Sequence, residues 1–302
     1  MESPEGPRAL AGVERRAVRR RAAYLADLGL LAITVVWGST FIIIKDALAG
    51  VGALEFIALR FGVALAVLAL FFHRRLGRLG PDGWRAGVLI GLFLFAGYAL
   101  QTVGLLFTSA STAAFITGLS VLIVPIIDFA VLGQRMRRGV IVGVLLAPLG
   151  LWLLTTGQRL SFGPGEVLLL ACAGAFAAHI VAISAFARRY DPLGLAIVQV
   201  AVVAALAGLA AAAFEKPFLV LPGPSVWRAV LYTGAVATAF VLAVQTTIQR
   251  FTTATHAALI FSLEPVFAAI FAYLLAHETL GPTAILGAAI MLAAMFLAEV
   301  GR

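Results

Sequence analysis

The 302-residue chain is 62% hydrophobic and 12% charged, with 22 Lys and Arg against 14 Asp and Glu, for a formal charge of +8. A water-facing domain carries about a quarter of its residues as charges, so this composition excludes an ordinary soluble protein. The basic surplus lies in short arginine clusters without the aromatic interleaving of a nucleic-acid surface, and the single cysteine, Cys172, excludes an intramolecular disulfide.

Residues 1–25 are basic and too polar for a cleaved signal peptide, and they read as a cytoplasmic tail ahead of a membrane-targeting first span. Beyond them, apolar stretches of about bilayer length are expected at 26–45, 52–72, 86–107, 110–132, 138–156, 165–187, 193–214, 226–249, 254–276 and 281–299. Breakers separate them: Gly80-Pro81-Asp82-Gly83, Gly163-Pro164-Gly165, Asp191-Pro192, Pro222-Gly223-Pro224 and Gly281-Pro282. The runs are continuous, without the alternation of a barrel strand, so the fold class is all-α integral membrane with ten transmembrane helices.

Basic residues orient the spans. With the N-terminus cytoplasmic, the tail, Arg74, Arg75, Arg78, Arg85, Arg135, Arg137, Arg138, Arg188, Arg189, Arg250 and Arg302 share one side. The other side holds Lys45, Arg159, Lys216 and Arg228, and Arg60 lies within a span. This asymmetry predicts an inner-membrane, multi-pass protein with both termini inside.

The halves repeat. Gln101-Thr102, Thr108, Ala113-Ala114-Phe115-Ile116 and Leu119 match Gln245-Thr246, Thr252, Ala257-Ala258-Leu259-Ile260 and Leu263 at an offset of 144 positions (Gln101 to Gln245). A weaker offset of 139 pairs Trp37 with Phe176, Thr40 with His179 and Arg60 with Gln199. Repeats are therefore expected over 26–156 and 165–299. Five spans per repeat is an odd number, so the second copy must run upside down. Two inverted five-helix repeats around a central cavity are a recurring architecture of secondary transporters.

Trp37-Gly38-Ser39-Thr40-Phe41, Leu59-Arg60-Phe61, Ala113-Ala114-Phe115-Ile116-Thr117-Gly118-Leu119, Ser262-Leu263-Glu264-Pro265-Val266-Phe267 and His277-Glu278-Thr279-Leu280 together resemble an EamA-type member of the drug/metabolite transporter superfamily. The resemblance covers the chain beyond its tail and implies ten helices around a central cavity and export of amino acids or other metabolites. One departure is Gly133-Gln134-Arg135, where repeats of the family commonly carry a carboxylate.

Polar residues inside the spans are the candidate site. Tyr98, Gln101 and Thr102 share a face of the third span, and Thr238, Gln245 and Gln249 form a stripe in the eighth. They serve either as interhelical hydrogen bonds or as a cavity wall for a small solute. Trp37, Thr40, Thr112 and His179 join the substrate-binding set, His179 with a packed hydrogen-bonding role as its alternative. Glu264 stands in mid-span before Pro265, with His256 eight residues earlier on the same face, and both are candidates for proton coupling or gating. Arg60 either snorkels to the outer interface or turns inward to an anion or to Glu264. Asp128 is expected to reach water or Arg135, and Trp84, Trp152 and Trp227 to anchor at the interfaces.

No His, Cys and carboxylate set stands at metal-ligand spacing, so no metal or other cofactor is expected. The function expected is a carrier exporting small organic solutes such as amino acids. The alternative is an integral-membrane enzyme acting on a lipid-linked substrate, for which no catalytic constellation is visible. The expected partners are a small-molecule substrate, the lipid bilayer and, as coupling ion, protons.

Overall fold

The computed structural model describes residues 23–136, 138–154, 163–215, 222–276 and 281–300. Most of the basic tail, Arg137, Arg159, Lys216, the His277-Glu278-Thr279-Leu280 motif and Arg302 lie outside the described residues. Among the described residues the regular structure is helical, without a strand. Eight helices are long and apolar enough to cross a bilayer: α1 (Ala23–Ala47), α2 (Ala53–Arg78), α3 (Gly80–Phe107), α4 (Thr112–Leu132), α6 (Pro164–Phe186), α7 (Pro192–Phe214), α8 (Pro224–Phe251) and α9 (Ala254–Phe271). Two further apolar helices, α5 (Arg138–Leu154) and α10 (Pro282–Val300), offer shorter apolar stretches, Arg138–Leu153 and Pro282–Ala294. The protein is thus a multi-pass integral membrane protein with eight of the ten expected spans met by length and composition.

The breakers noted in sequence act where helices begin and end. Pro164, Pro192 and Pro224 occupy the first turns of α6, α7 and α8, where a missing N–H costs no intrahelical bond. Asp191 caps α7 by accepting from Gly194 N at 2.9 Å. At the other end of α7, Glu215 accepts from the backbone N–H groups of Leu54 (3.0 Å) and Glu55 (2.8 Å), so it caps α2 from a neighbouring helix. Gly133 ends α4 with a φ of 64°, the left-handed conformation that favours glycine.

Packing is close where small residues face one another. α3 lies against α6 and α7, α2 against α7 and α8, α4 against α6 and α9, and α5 against α10. A Cβ added at Gly87 or Gly91 would come within 2.7 Å of Val198 or Val202 on α7, so these glycines set the α3–α7 approach. Outward, Leu70, Phe71, Ile126, Phe129, Leu209 and Phe214 are exposed. An apolar surface of that extent suits lipid and not water. Trp84, Trp152 and Trp227 are likewise exposed near helix ends, the disposition expected of interface anchors.

Four helices depart from regular α geometry within their length. α1 is interrupted at Ser39, α4 at Leu119 and α9 at Ser262-Leu263, while Tyr232–Phe240 of α8 is wound as a π-helix. Pro265 has no N–H to offer the Phe261 carbonyl one turn earlier, which accounts for the break in α9. The 144-position offset is visible in local geometry too. Thr108 and Thr252 are both extended, and Ser109 and Thr253 both cap the following helix by accepting from Thr112 N and His256 N.

Candidate functional site

The irregular segments converge on one central cavity. It is bordered by Trp37 and Thr40 beside the break in α1, Gly118 and Ser120 beside that in α4, and Phe261 and Glu264 beside that in α9. Arg60 of α2, Tyr98 and Gln101 of α3, Phe176 and His179 of α6, and Gln245 of α8 complete its polar and aromatic lining. Protein atoms leave about 650 Å³ empty here, counting the open mouth. Irregular backbone at membrane depth is tolerated where it lines a cavity, and here it does so from several sides.

Arg60 turns inward. Only 2% of its surface is exposed, which removes the snorkelling alternative. Its Nε donates to Thr238 Oγ1 at 2.7 Å, and that hydroxyl in turn donates to the Thr233 carbonyl at 2.8 Å within the π-helical segment. The guanidinium lies over the Tyr98 ring, 4.7 Å from its centroid, with Nη2 donating to the Tyr98 hydroxyl at 3.4 Å and to the Ala237 carbonyl at 3.5 Å. Trp37 Nε1 donates to the same Ala237 carbonyl at 3.2 Å. The π-winding is what makes Thr238 and Ala237 available together, and such segments recur at functional sites. Gly234 permits it: a Cβ there would stand 2.7 Å from the Arg60 carbonyl oxygen.

With this buried cation no carboxylate among the described residues forms an ion pair. Among the described residues no ion pair joins Arg60 to Glu264, although both face the cavity, and no hydrogen bond reaches the Glu264 carboxyl group. The site thus presents a guanidinium and a carboxyl group in the lining of one cavity.

The glutamines occupy matched places with different partners. Gln101 reaches the cavity with no side-chain hydrogen bond among the described residues. Gln245 is held by a chain whose direction the backbone sets. The Ile180 carbonyl only accepts, so Gln249 Nε2 must face it (2.7 Å) and also donates to Ser184 Oγ (2.8 Å). Gln249 Oε1 then accepts from Gln245 Nε2 at 3.1 Å. That leaves Gln245 Oε1 buried without a donor among the described residues. A buried acceptor in that state calls for a donor from the cavity.

Eight sequence-derived candidates therefore meet at the cavity: Trp37, Thr40, Arg60, Tyr98, Gln101, His179, Gln245 and Glu264. His179 is anchored there, its Nε2 sharing a 2.8 Å hydrogen bond with Gln199 Oε1, while Gln199 Nε2 donates to Thr246 Oγ1 at 3.1 Å. Three candidates lie off the lining. Thr112 sits in the first turn of α4 with Ser109, Gln249 stands behind Gln245, and His256 pairs with Asp27 at 3.4 Å in the first turn of α9. Asp128 reaches neither water nor Arg135. It is 1% exposed and accepts from Thr255 through Oγ1 (2.8 Å) and N (3.3 Å), because the close α4–α9 packing shuts out solvent. Sequence reasoning passed over Thr117, Ser120, Phe176 and Phe261 as lining residues; the signal available for three of them was their position beside a helix break.

Comparison with known proteins agrees with this arrangement. The EamA-like transporter family matches residues 24–156 and again residues 163–299. An uncharacterized transporter of Archaeoglobus fulgidus is 35% identical over 274 residues, spanning 90% of this chain and 85% of that protein. The uncharacterized transporter YoaV of Bacillus subtilis is 24% identical over 280 residues, spanning 89% of this chain and 95% of that protein. A crystal structure 20% identical in sequence superposes with a TM-score of 0.76 over 92% of this chain and 97% of the other, a likeness of fold. Two matches to one family, laid end to end over helices that meet at a polar cavity in an apolar bundle, have one reading: the chain belongs to the EamA-like transporter family.

Proposed function

We propose that the protein is a secondary carrier, acting as an exporter, for small zwitterionic solutes such as amino acids. The observation that carries the reading is the presence of Arg60 and Glu264 in the lining of one cavity, with no ion pair between them among the described residues. The guanidinium takes the solute carboxylate and the Glu264 carboxyl takes its ammonium group. Gln245 Oε1 accepts a second ammonium hydrogen, and Gln101 adds an amide from the facing helix. Tyr98, Phe176, Trp37 and Phe261 supply an apolar wall for the solute side chain. A polyanion is a poor fit, since among the described residues Arg60 is the only Lys or Arg of the lining.

Transport follows from alternating access between two inverted five-helix halves, residues 26–156 and 165–299, with ten spans, both termini in the cytoplasm of an inner membrane, and protons as coupling ion. Support comes from the matched caps at Ser109 and Thr253, the matched breaks in α4 and α9, and the packing of α2 on α7, α4 on α9 and α5 on α10, each helix against its counterpart. The site lies at the seam of those halves, so exchanging their conformations exposes it alternately to the two sides.

Counterflow in proteoliposomes against a panel of amino acids and small metabolites tests the reading. Saturable exchange is expected, lost in Glu264→Gln and Arg60→Gln and weakened in Gln101→Ala and Gln245→Ala, with folding checked by size-exclusion profile. Folded wild type that exchanges no zwitterion, or Arg60 and Glu264 variants that exchange normally, overturns it.

A further inference from the structure

Two hydrogen-bonded chains join α6, α7 and α8 behind the cavity, and a backbone carbonyl fixes the direction of each. In the chain already described, the Ile180 carbonyl of α6 only accepts, and Gln245 Oε1 is left as the unpaired end. The second chain begins at the Leu242 carbonyl of α8, which takes the hydroxyl proton of Thr246 at 2.7 Å. Thr246 Oγ1 has then only lone pairs to offer, so the Gln199 amide nitrogen of α7 faces it at 3.1 Å. That turns the Gln199 amide oxygen to His179 Nε2 at 2.8 Å, and a ring nitrogen opposite an acceptor carries the hydrogen. In a neutral imidazole a proton on Nε2 leaves Nδ1 with a free lone pair. No hydrogen bond reaches Nδ1 among the described residues, and His179 borders the cavity.

Both chains join the same stretch of α6 to the same stretch of α8. Ile180 follows His179, and Thr246 follows Gln245; Gln249 links the helices directly and Gln199 links them by way of α7. Gln199 and Thr246 are fully buried and do not border the cavity, so neither is placed to touch a solute. For packing alone, apolar side chains of that volume would avoid the cost of desolvating an amide and a hydroxyl. What the polar pair adds is orientation, because a satisfied buried network rigidifies its members.

The two halves of the chain differ in what they offer the cavity. Position 60 of the first repeat corresponds to position 199 of the second at the offset of 139 (Arg60 to Gln199). In the first, an arginine brings a donor to the lining; in the second, a glutamine behind the lining turns a histidine into an acceptor. His179, Gln245 and Glu264 all belong to the second half, and Arg60 to the first.

We infer that His179 Nδ1 and Gln245 Oε1 form an acceptor wall that reads the hydrogens on the solute's ammonium group. Gln199 and Thr246 are positioning residues that hold the histidine in its accepting tautomer. The solute lies across the seam, its carboxylate towards Arg60 and its ammonium towards the second half. A primary ammonium has a hydrogen for each of the two acceptors and one for the Glu264 carboxyl. A quaternary ammonium has none and leaves both acceptors unpaired, so the site takes primary amines and rejects betaines. This rests on the zwitterion reading above and narrows its substrate class.

The test is ring-nitrogen NMR of the purified full chain labelled at histidine, with the His179 signals assigned by their loss in His179→Gln. Wild type is expected to show hydrogen on Nε2 and none on Nδ1. Saturating glycine, which carries the two charged groups common to α-amino acids, should shift the Nδ1 resonance, and betaine should not. Thr246→Val, and separately Gln199→Leu, should give mixed tautomers, with Thr246→Ser restoring the wild-type signal. In proteoliposomes, betaine should inhibit exchange at least about tenfold more weakly than glycine, as expected when buried acceptors are left unpaired. That ratio should fall severalfold in Thr246→Val, which leaves the lining residues and the room for a trimethyl group unchanged. Hydrogen on Nδ1 in wild type, a Nδ1 resonance that glycine does not move, or an unchanged ratio in folded Thr246→Val and Gln199→Leu overturns the wall. Counterflow judges transport separately: no panel solute exchanged, with glycine still moving Nδ1, counts against the carrier reading alone.

Discussion

Arg60 Nε and Thr238 Oγ1 stand 2.7 Å apart, joining α2 to the π-helical segment of α8 through residues 178 positions apart in sequence. Thr238→Val keeps the shape of the side chain and removes the acceptor. A buried donor left unpaired costs about 1–3 kcal/mol, and a charged one more. We expect a lower unfolding temperature in detergent and weaker solute binding, with Thr238→Ser retaining both. Equal melting curves for Thr238→Val and wild type would count against the bond as an organiser of the site.

Gln249 acts on the cavity through Gln245. Gln249→Leu removes the acceptor for Gln245 Nε2 and the donor to the Ile180 carbonyl, so the Gln245 amide is free to rotate. The expected result is a higher KM for exchange with a smaller change in maximal rate. A direct solute contact at Gln249 would instead alter the ranking of solutes in competition assays.

Helix contacts at glycines give a pair of opposite expectations. A Cβ at Gly150 on α5 would stand 2.8 Å from the Gly287 carbonyl on α10 and 2.6 Å from Met291 Cγ, whereas one at Gly174 on α6 meets nothing within 4 Å. Overpacking of this kind costs about 1–3 kcal/mol, so Gly150→Ala lowers thermal stability. Gly174→Ala is neutral or slightly stabilising, since alanine is the better helix former. Differential melting of the two purified variants checks both.

Glu215 closes the start of α2 from the end of α7. Glu215→Ala leaves the Leu54 and Glu55 N–H groups without their partner and is expected to cost about 0.5–2 kcal/mol, the usual loss of a helix cap. Glu215→Gln keeps an acceptor oxygen and should recover part of it. Hydrogen exchange at the first turn of α2 reads the effect locally.

Much of the architecture was legible before any coordinates. A bilayer demands apolar helices of a set length, so apolar runs, breaker residues and arginine clusters are read almost directly. The repeat named Gln101 and Gln245 as a pair, and costly mid-span polar residues such as Arg60, His179 and Glu264 stood out against their neighbours. The facing of each side chain was less legible. Helices apolar on every side carry little amphipathic signal, so nothing in sequence separated cavity-lining Tyr98 from Gln249, one layer behind the wall.

Sequence by itself determined that this is a helical membrane protein with two related halves, because lipid punishes unpaired backbone and charge wherever they occur in the chain. Only the tertiary structure decided that Arg60 turns inward, that π-winding in α8 supplies Thr238 and the Ala237 carbonyl to hold it, and that Asp128 and His256 gather at one end. Those outcomes depend on which helix stands opposite which. That is set by close approaches such as Gly234 on Arg60 and Gly91 on Val202, contacts between residues far apart in the chain that no local pattern encodes.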